Sequence, residues 1–233
     1  MQQRFKRVLL FIILPVIVVM LVVAWQYTGY LSFMPIKKVI IKSDYQYVKK
    51  QQIQSLLLPL MKDDFLHFKL EDAHNVMATL PGVKSVSIRR VWPSTLAITL
   101  KEHHAIANWE NKALIDGGGQ TFVVPSALLP KGLPLLMGNI KQQKQMLGFL
   151  QQITSLVAPY HLAVAILVLD DHGAWHVKFT QGLWLHLGVD VPYQKLSKFL
   201  SIYADIKMRY PTKKLHYADM NYPNAVALKW QAA

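Results

Sequence analysis

The alternation of apolar and polar positions divides the chain into three textures. The first is an uncharged apolar run from Val8 to Ala24, VLLFIILPVIVVMLVVA. At about 1.5 Å per residue this run makes roughly 25 Å of helix, and flanking Phe5, Trp25 and Tyr27 extend it toward the ~30 Å of a bilayer's hydrocarbon core. It predicts a membrane anchor over residues 8–27, with Val8, Leu14, Val18 and Ala24 along its length. Trp25, Tyr27 and Tyr30 fit an interfacial aromatic belt, and Pro15 is tolerated mid-membrane with a kink. A cleaved signal peptide is the competing reading. The length of the run and the lack of an A-x-A site after it favour an uncleaved anchor.

The second texture follows a linker at residues 28–35. Ile36 to Lys42 (IKKVIIK) predicts a strand rich in β-branched residues. Val48 to Leu58, with apolar residues at 48, 53, 56 and 57, predicts a short helix ended by Pro59. Leu70, Ala73, Met77 and Leu80 share one helical face, which Pro81-Gly82 terminates. Val86 and Ile88 then alternate with Ser87 and Arg89. After a Trp92-Pro93-Ser94 turn, Leu96, Ile98 and Leu100 alternate with Thr95, Ala97, Thr99 and Lys101. That is a hairpin, with Trp92 packing at its end. The unit reads β-α-α-β-β, two helices covering one face of a sheet. Its strand at residues 36–42 is a candidate exposed edge.

The third texture begins at His104 and is mostly short strands. These are expected at Ala105–Trp109, Ala113–Ile115, Ala163–Leu169, Trp175–Phe179, Leu183–Leu187, Leu215–Asp219 and Val226–Trp230. Residues 125–138, rich in Pro, Gly and Leu, predict an ordered loop. Two helices are expected, one over 140–157 and one over 191–207, the second capped by Asp190 with Pro192 in its first turn. The fold class is therefore α+β: a single N-terminal transmembrane helix, a β-α-α-β-β domain at 36–103, and a mixed β domain with flanking helices at 104–233.

Charge sharpens this topology. Arg4, Lys6 and Arg7 precede the apolar run without an acidic residue, so residues 1–7 read as a cytoplasmic tail by the positive-inside rule. The remainder is also basic within a total of 26 Lys and Arg against 13 Asp and Glu. A basic domain suits nucleic acid, anionic lipid or an acidic protein. Placement beyond the membrane argues against nucleic acid. The chain has no cysteine, which removes disulfides, thiol nucleophiles and thiolate metal sites.

Candidate chemistry is sparse. There is no S-x-x-K, G-x-S-x-G, H-E-x-x-H or Walker loop in the sequence. Adjacent His103 and His104 point to opposite faces of a strand, a poor metal site. Asp63-Asp64 and Asp170-Asp171-His172-Gly173 read as turns. Gly117-Gly118-Gly119 leads into an extended segment rather than a helix, which disfavours a phosphate cradle. No catalytic residue, metal or cofactor is expected. An enzyme acting on cell wall would require Asp170, His172 and His176 to converge in one pocket.

The residues Leu80-Pro81-Gly82-Val83, Val86-Ser87-Ile88-Arg89-Arg90 and Val91-Trp92-Pro93-Ser94-Thr95-Leu96, running to Glu102 with Trp109 beyond, resemble the POTRA domain of the FtsQ/DivIB cell-division proteins. Ala218-Asp219-Met220-Asn221-Tyr222-Pro223-Asn224 and Ala227-Leu228-Lys229-Trp230 resemble that family's terminal motif. The order of anchor, POTRA domain and β domain matches as well. The resemblance implies a non-enzymatic divisome component of the inner membrane at the division septum, single-pass, with its N-terminus cytoplasmic and its C-terminal domain periplasmic. It implies binding to FtsB and FtsL through the late strands of the β domain, control of septal peptidoglycan synthesis, and contacts to other divisome proteins through the POTRA domain.

The implied partner site accepts a strand of FtsB by strand addition, at Tyr222, Asn224, Ala225, Val226 and Trp230. Three positions depart from the family pattern. Asn221 stands where arginine is common, Ala225 where glycine is common, and His172 where some members carry a basic residue, so an ion pair to the partner is not implied here. Aromatic strand residues are usually buried, which leaves Tyr222 and Trp230 divided between structural and partner-contact roles. A POTRA protein of polypeptide transport or envelope assembly is the alternative. Such proteins usually carry several POTRA repeats or a β-barrel, and neither is legible here.

Overall fold

The computed structural model describes Ile13, residues 15–26, residues 34–222 and residues 225–231. Residues 15–26 are helical and exposed, and they include Val18 and Ala24. Val8, Leu14 and the tail lie outside the described residues. No described helix is long and apolar enough to cross a membrane. The rest of the chain divides into two units, meeting between Glu102 and His103.

The first unit has strand β1 (Lys38–Lys42), helix α1 (Lys50–Leu57), helix α2 (Leu70–Ala78), and strands β2 (Val83–Val91) and β3 (Thr95–Glu102). The sheet order is β1-β3-β2, with β1 parallel and β2 antiparallel to the central β3. The expected alternation holds: Leu96, Ile98 and Leu100 are buried and meet Ile53, Leu57, Phe65, Phe68, Ala73 and Met77 in one core. Helix α1 ends at Leu57, just ahead of Pro59 as expected, and Pro59 then occupies the first turn of a 3₁₀ helix, Leu58–Lys62, where its missing N–H costs nothing. Trp92 sets its ring edge-on to Phe65 at 5.4 Å but stays 62% exposed, so it lids the hairpin end rather than filling it. Gly82 must be glycine: its φ is +78°, and a Cβ there would lie 2.7 Å from the Tyr47 side chain.

The second unit has strands β4 (Ala105–Trp109), β5 (Ala113–Asp116), β6 (Thr121–Phe122), β7 (Leu135–Met137), helix α3 (Gln143–Val157), strands β8 (Val164–Leu169), β9 (Trp175–Phe179) and β10 (Trp184–Gly188), helix α4 (Pro192–Arg209), and strands β11 (Leu215–Asp219) and β12 (Ala227–Trp230). The nine strands form one mixed sheet in the order β12-β11-β10-β9-β8-β7-β4-β5-β6. Helix α3 packs on β8 and helix α4 on β10. Both bury the face carrying Leu167, Leu169, Trp175, Val177, Leu185, Leu187 and Ala218.

Two expectations are corrected. The loop at 125–138 contains β7, which pairs in parallel with β4 and β8. Its partners are distant in sequence and it is only three residues long, so no local pattern marks it. Asp190 does not cap α4. Val191 holds the N-cap position at φ 42°, with no side-chain cap hydrogen bond, because Pro192 starts the helix immediately after it.

Candidate partner-binding site at the sheet edge

Strand β12 is the outermost strand of the large sheet. It lies antiparallel to β11, with Asp219 opposite Ala227, Ala218 opposite Leu228, Tyr217 opposite Lys229 and Leu215 opposite Trp230. The Gln231 amide donates to the Lys214 carbonyl at 2.8 Å. Backbone groups alternate along a strand, so Lys229 and Ala227 also face β11, and the amides and carbonyls of Leu228 and Trp230 are directed to the open edge. The same alternation sends the amide of Val226 outward, one residue before the strand begins.

Side chains alternate in the opposite sense. Val226, Leu228 and Trp230 lean on the helix-covered core, while Ala227 and Lys229 are exposed. Trp230 meets the Tyr210 ring at 5.0 Å and helps line a hollow of about 280 Å³ with Tyr203, Ile206 and Lys213. It is thus a half-buried packing residue whose backbone, not its ring, faces the edge. Tyr222 is 56% exposed and Ala225 is exposed. Asn224 lies outside the described residues. The Asn221 amide donates to Asp219 Oδ1 at 2.8 Å, which turns the chain out of β11. Close by, Gly188 has φ +71°, and a Cβ there would strike the Asn221 side chain.

The sheet face opposite the helices carries a polar row that sequence reading did not assemble. Strand register sets His176 opposite His186, and His186 opposite Asp219. Asp170 begins the row: its Oδ1 accepts from the amides of His172 (2.9 Å) and Ala174 (2.8 Å), and its Oδ2 lies 3.2 Å from His176 Nε2. His176 Nδ1 lies 2.8 Å from His186 Nδ1. If His176 donates from Nε2 to the carboxylate, its Nδ1 can only accept, so the neutral His186 carries its proton on Nδ1. Burial holds the His186 imidazole below its ordinary value, and the neighbouring charge of His176 adds to this. Hydrogen bonds from the Ala174 amide and His176 lower the Asp170 carboxyl. Burial, then Asp219, raises the Tyr217 hydroxyl.

Asp170 and His176 therefore do converge, whereas His172 contributes only its backbone amide. The row ends at Asp219, whose carboxylate also acts on the neighbouring Tyr217 hydroxyl. His103 is buried, bonded through Nδ1 to Asp116 Oδ2 at 2.9 Å and stacked on Phe122, a structural arrangement. Among the described residues no group of three or more His, Asp or Glu side chains is placed to hold a metal ion. The register that builds the row was the missing signal. Each histidine alone reads as one polar position in an alternating strand.

Comparison with known proteins covers both units. Residues 34–103 match the family model "POTRA domain, FtsQ-type", and residues 107–221 match "Cell division protein FtsQ/DivIB, C-terminal". Relatives named "Cell division protein FtsQ" include one from Methylomonas methanica, 28% identical over 84% of this chain and 79% of the relative. One from Coxiella burnetii is 27% identical over 85% and 81%, and one from Shewanella oneidensis is 28% identical over 85% and 75%.

Proposed function

The chain belongs to the FtsQ/DivIB family of cell-division proteins, and we propose that it acts as a non-enzymatic scaffold of the divisome by binding FtsB–FtsL along the outer edge of β12. In this reading an FtsB segment adds as a strand beside β12. The outward backbone groups of Val226, Leu228 and Trp230 supply the ladder, and Tyr222 and Asn224 contact the incoming strand's end. The chain is held in the inner membrane by residues 8–27, N-terminus inside, with both units in the periplasm at the septum. The POTRA unit at 36–103 contacts other divisome proteins, and the 104–233 unit controls septal peptidoglycan synthesis through the conformation of its partners.

The observation that carries the reading is the β12 edge, unpaired among the described residues, where Val226, Leu228 and Trp230 anchor their side chains in the core and turn their backbone groups outward. The experiment is capture of purified FtsB–FtsL by the full chain in detergent, wild type against Val226→Pro and Tyr222→Ala, with circular dichroism to verify folding. Proline at 226 removes an outward donor and leaves the β11–β12 ladder intact. Loss of about 1–2 kcal/mol, roughly tenfold or more in affinity, is expected for Val226→Pro. Unchanged affinity in both folded variants would move the partner elsewhere. No capture by the wild type would sink the reading.

A further inference from the structure

The first unit has an open edge of its own. Strand β1 pairs only with β3, so its other side is free among the described residues. The Lys38 amide donates inward to the Ser94 carbonyl, and alternation then turns Val39 and Ile41 outward. The Ile41 carbonyl bears this out: it accepts from the Tyr45 hydroxyl at 3.3 Å, at an exposed position. Beside this edge runs a groove of about 400 Å³, in which Val39 and Ile41 of β1 face Gln54, Leu57, Leu58 and Met61. The groove is apolar and open: Leu58 is 69% exposed, and Ile40 on the other face of β1 is 37% exposed.

Lysines flank this edge: Lys38 and Lys42 lie on the face of β1 away from the groove, Lys37 immediately precedes the strand, and Lys50 lines the groove. Among the described residues none of these four lies within 4.0 Å of a carboxylate. Strand edge, apolar groove and unpaired lysines together specify an occupant. A strand beside β1 would drop every second side chain into the groove and set the others beside Lys38, Ile40 and Lys42.

We propose that the β1 edge and the β1–α1 groove bind an extended acidic segment of another protein, in which apolar residues alternate with Asp or Glu. The apolar residues fill the groove against Val39, Ile41 and Leu58. The carboxylates meet Lys38 and Lys42 on the opposite face, and the ladder runs through the outward groups of Val39 and Ile41. The weak Tyr45 hydrogen bond to Ile41 is displaced on binding. This site is on the other unit from β12 and does not depend on the FtsB–FtsL reading.

The test uses the full chain in nanodiscs of neutral lipid and a fluorescent eight-residue peptide alternating Glu with Val and Ile. The expected result is saturable binding that weakens as salt rises. A Lys38→Glu/Lys42→Glu double variant and a Val39→Pro variant should each lose about tenfold or more in affinity. Tyr45→Phe should gain a few-fold by freeing the Ile41 carbonyl, a change that a merely electrostatic surface would not produce. Val226→Pro, folded and defective only at β12, should bind the peptide like the wild type. Thermal unfolding checks that each variant is folded. Equal binding of a peptide with the same composition but its glutamates in one block would overturn the proposal. So would affinity unchanged by the lysine reversal and Val39→Pro. Capture of anionic vesicles through the same lysines, without peptide binding, would assign the surface to lipid instead.

Discussion

Trp230 and Tyr222 are both aromatic residues of the terminal motif, yet one is packed and the other exposed, and paired alanine variants separate their contributions. Trp230 is half-buried, rests on the core and meets Tyr210 at 5.0 Å. Truncating a fully buried tryptophan costs about 3–5 kcal/mol, and an aromatic pair accounts for about 0.5–1.5 kcal/mol of such losses. Half-burial scales the cost of Trp230→Ala to about 2–3 kcal/mol. For a unit of this size each kcal/mol lowers Tm by about 3–5 °C, so the second unit should melt on the order of 10 °C lower. Tyr222 is 56% exposed, which limits Tyr222→Ala to about 0.5 kcal/mol and a shift of about 2 °C. Its cost should instead fall on FtsB–FtsL binding, about 1–2 kcal/mol or roughly tenfold. Differential scanning calorimetry of the full chain in detergent reads the first quantity, and a binding titration reads the second. A Trp230→Ala variant that melts like the wild type would refute the packing assignment. A Tyr222→Ala variant that melts far lower, or binds at full affinity, would refute the assignment of Tyr222 to the partner surface.

Two further outcomes follow from polar groups bonded within the two units. Glu102 is 3% exposed and accepts from the Ser43 hydroxyl at 2.6 Å and from the Tyr47 and Val48 amides, so Glu102→Ala strands buried donors and should destabilise the first unit by about 2–4 kcal/mol in chemical denaturation; a cost below about 1 kcal/mol would contradict this bonding. His186 titrates below its ordinary value of 6.5 in the folded chain, so between that value and its lower folded pKa the unfolded state binds more protons. Stability of the second unit should therefore fall as pH drops from about 7 through that window, and His186→Gln should flatten this part of a Tm-against-pH profile. An unchanged slope in the variant would place the titrating group elsewhere.

Much of the first unit was legible because its signals are local. Leu96, Ile98 and Leu100 alternate in a long strand, and Ala73 and Met77 keep helical spacing, so periodicity alone identifies the core. The second unit is less legible because its decisive pairings are distant. Strand β7 is three residues placed between parallel neighbours from far along the chain, and no hairpin turn announces it. The Asp170–His176–His186 row exists only once β9 and β10 are in register. The terminal motif could be recognised by its residues. That Trp230 turns its ring inward and its backbone outward could not, since that follows from the Gln231–Lys214 hydrogen bond.

An open strand edge invites the wrong partner as readily as the right one, so the question is what keeps β12 and β1 from pairing with second copies of themselves. Both edges are short, and both carry lysine: Lys229 in β12, Lys38 and Lys42 in β1. Two copies meeting edge to edge would bring like charges opposite one another, which is destabilising in a ladder. The bulge between Leu215 and Tyr217 disturbs the register beside β12, and the Tyr45 hydroxyl occupies the Ile41 carbonyl beside β1. A partner strand bearing carboxylates meets none of the charge penalty and gains from the same lysines. In the proposed readings the charge that opposes self-pairing also favours the partner, and an edge built this way discriminates by repulsion as much as by attraction.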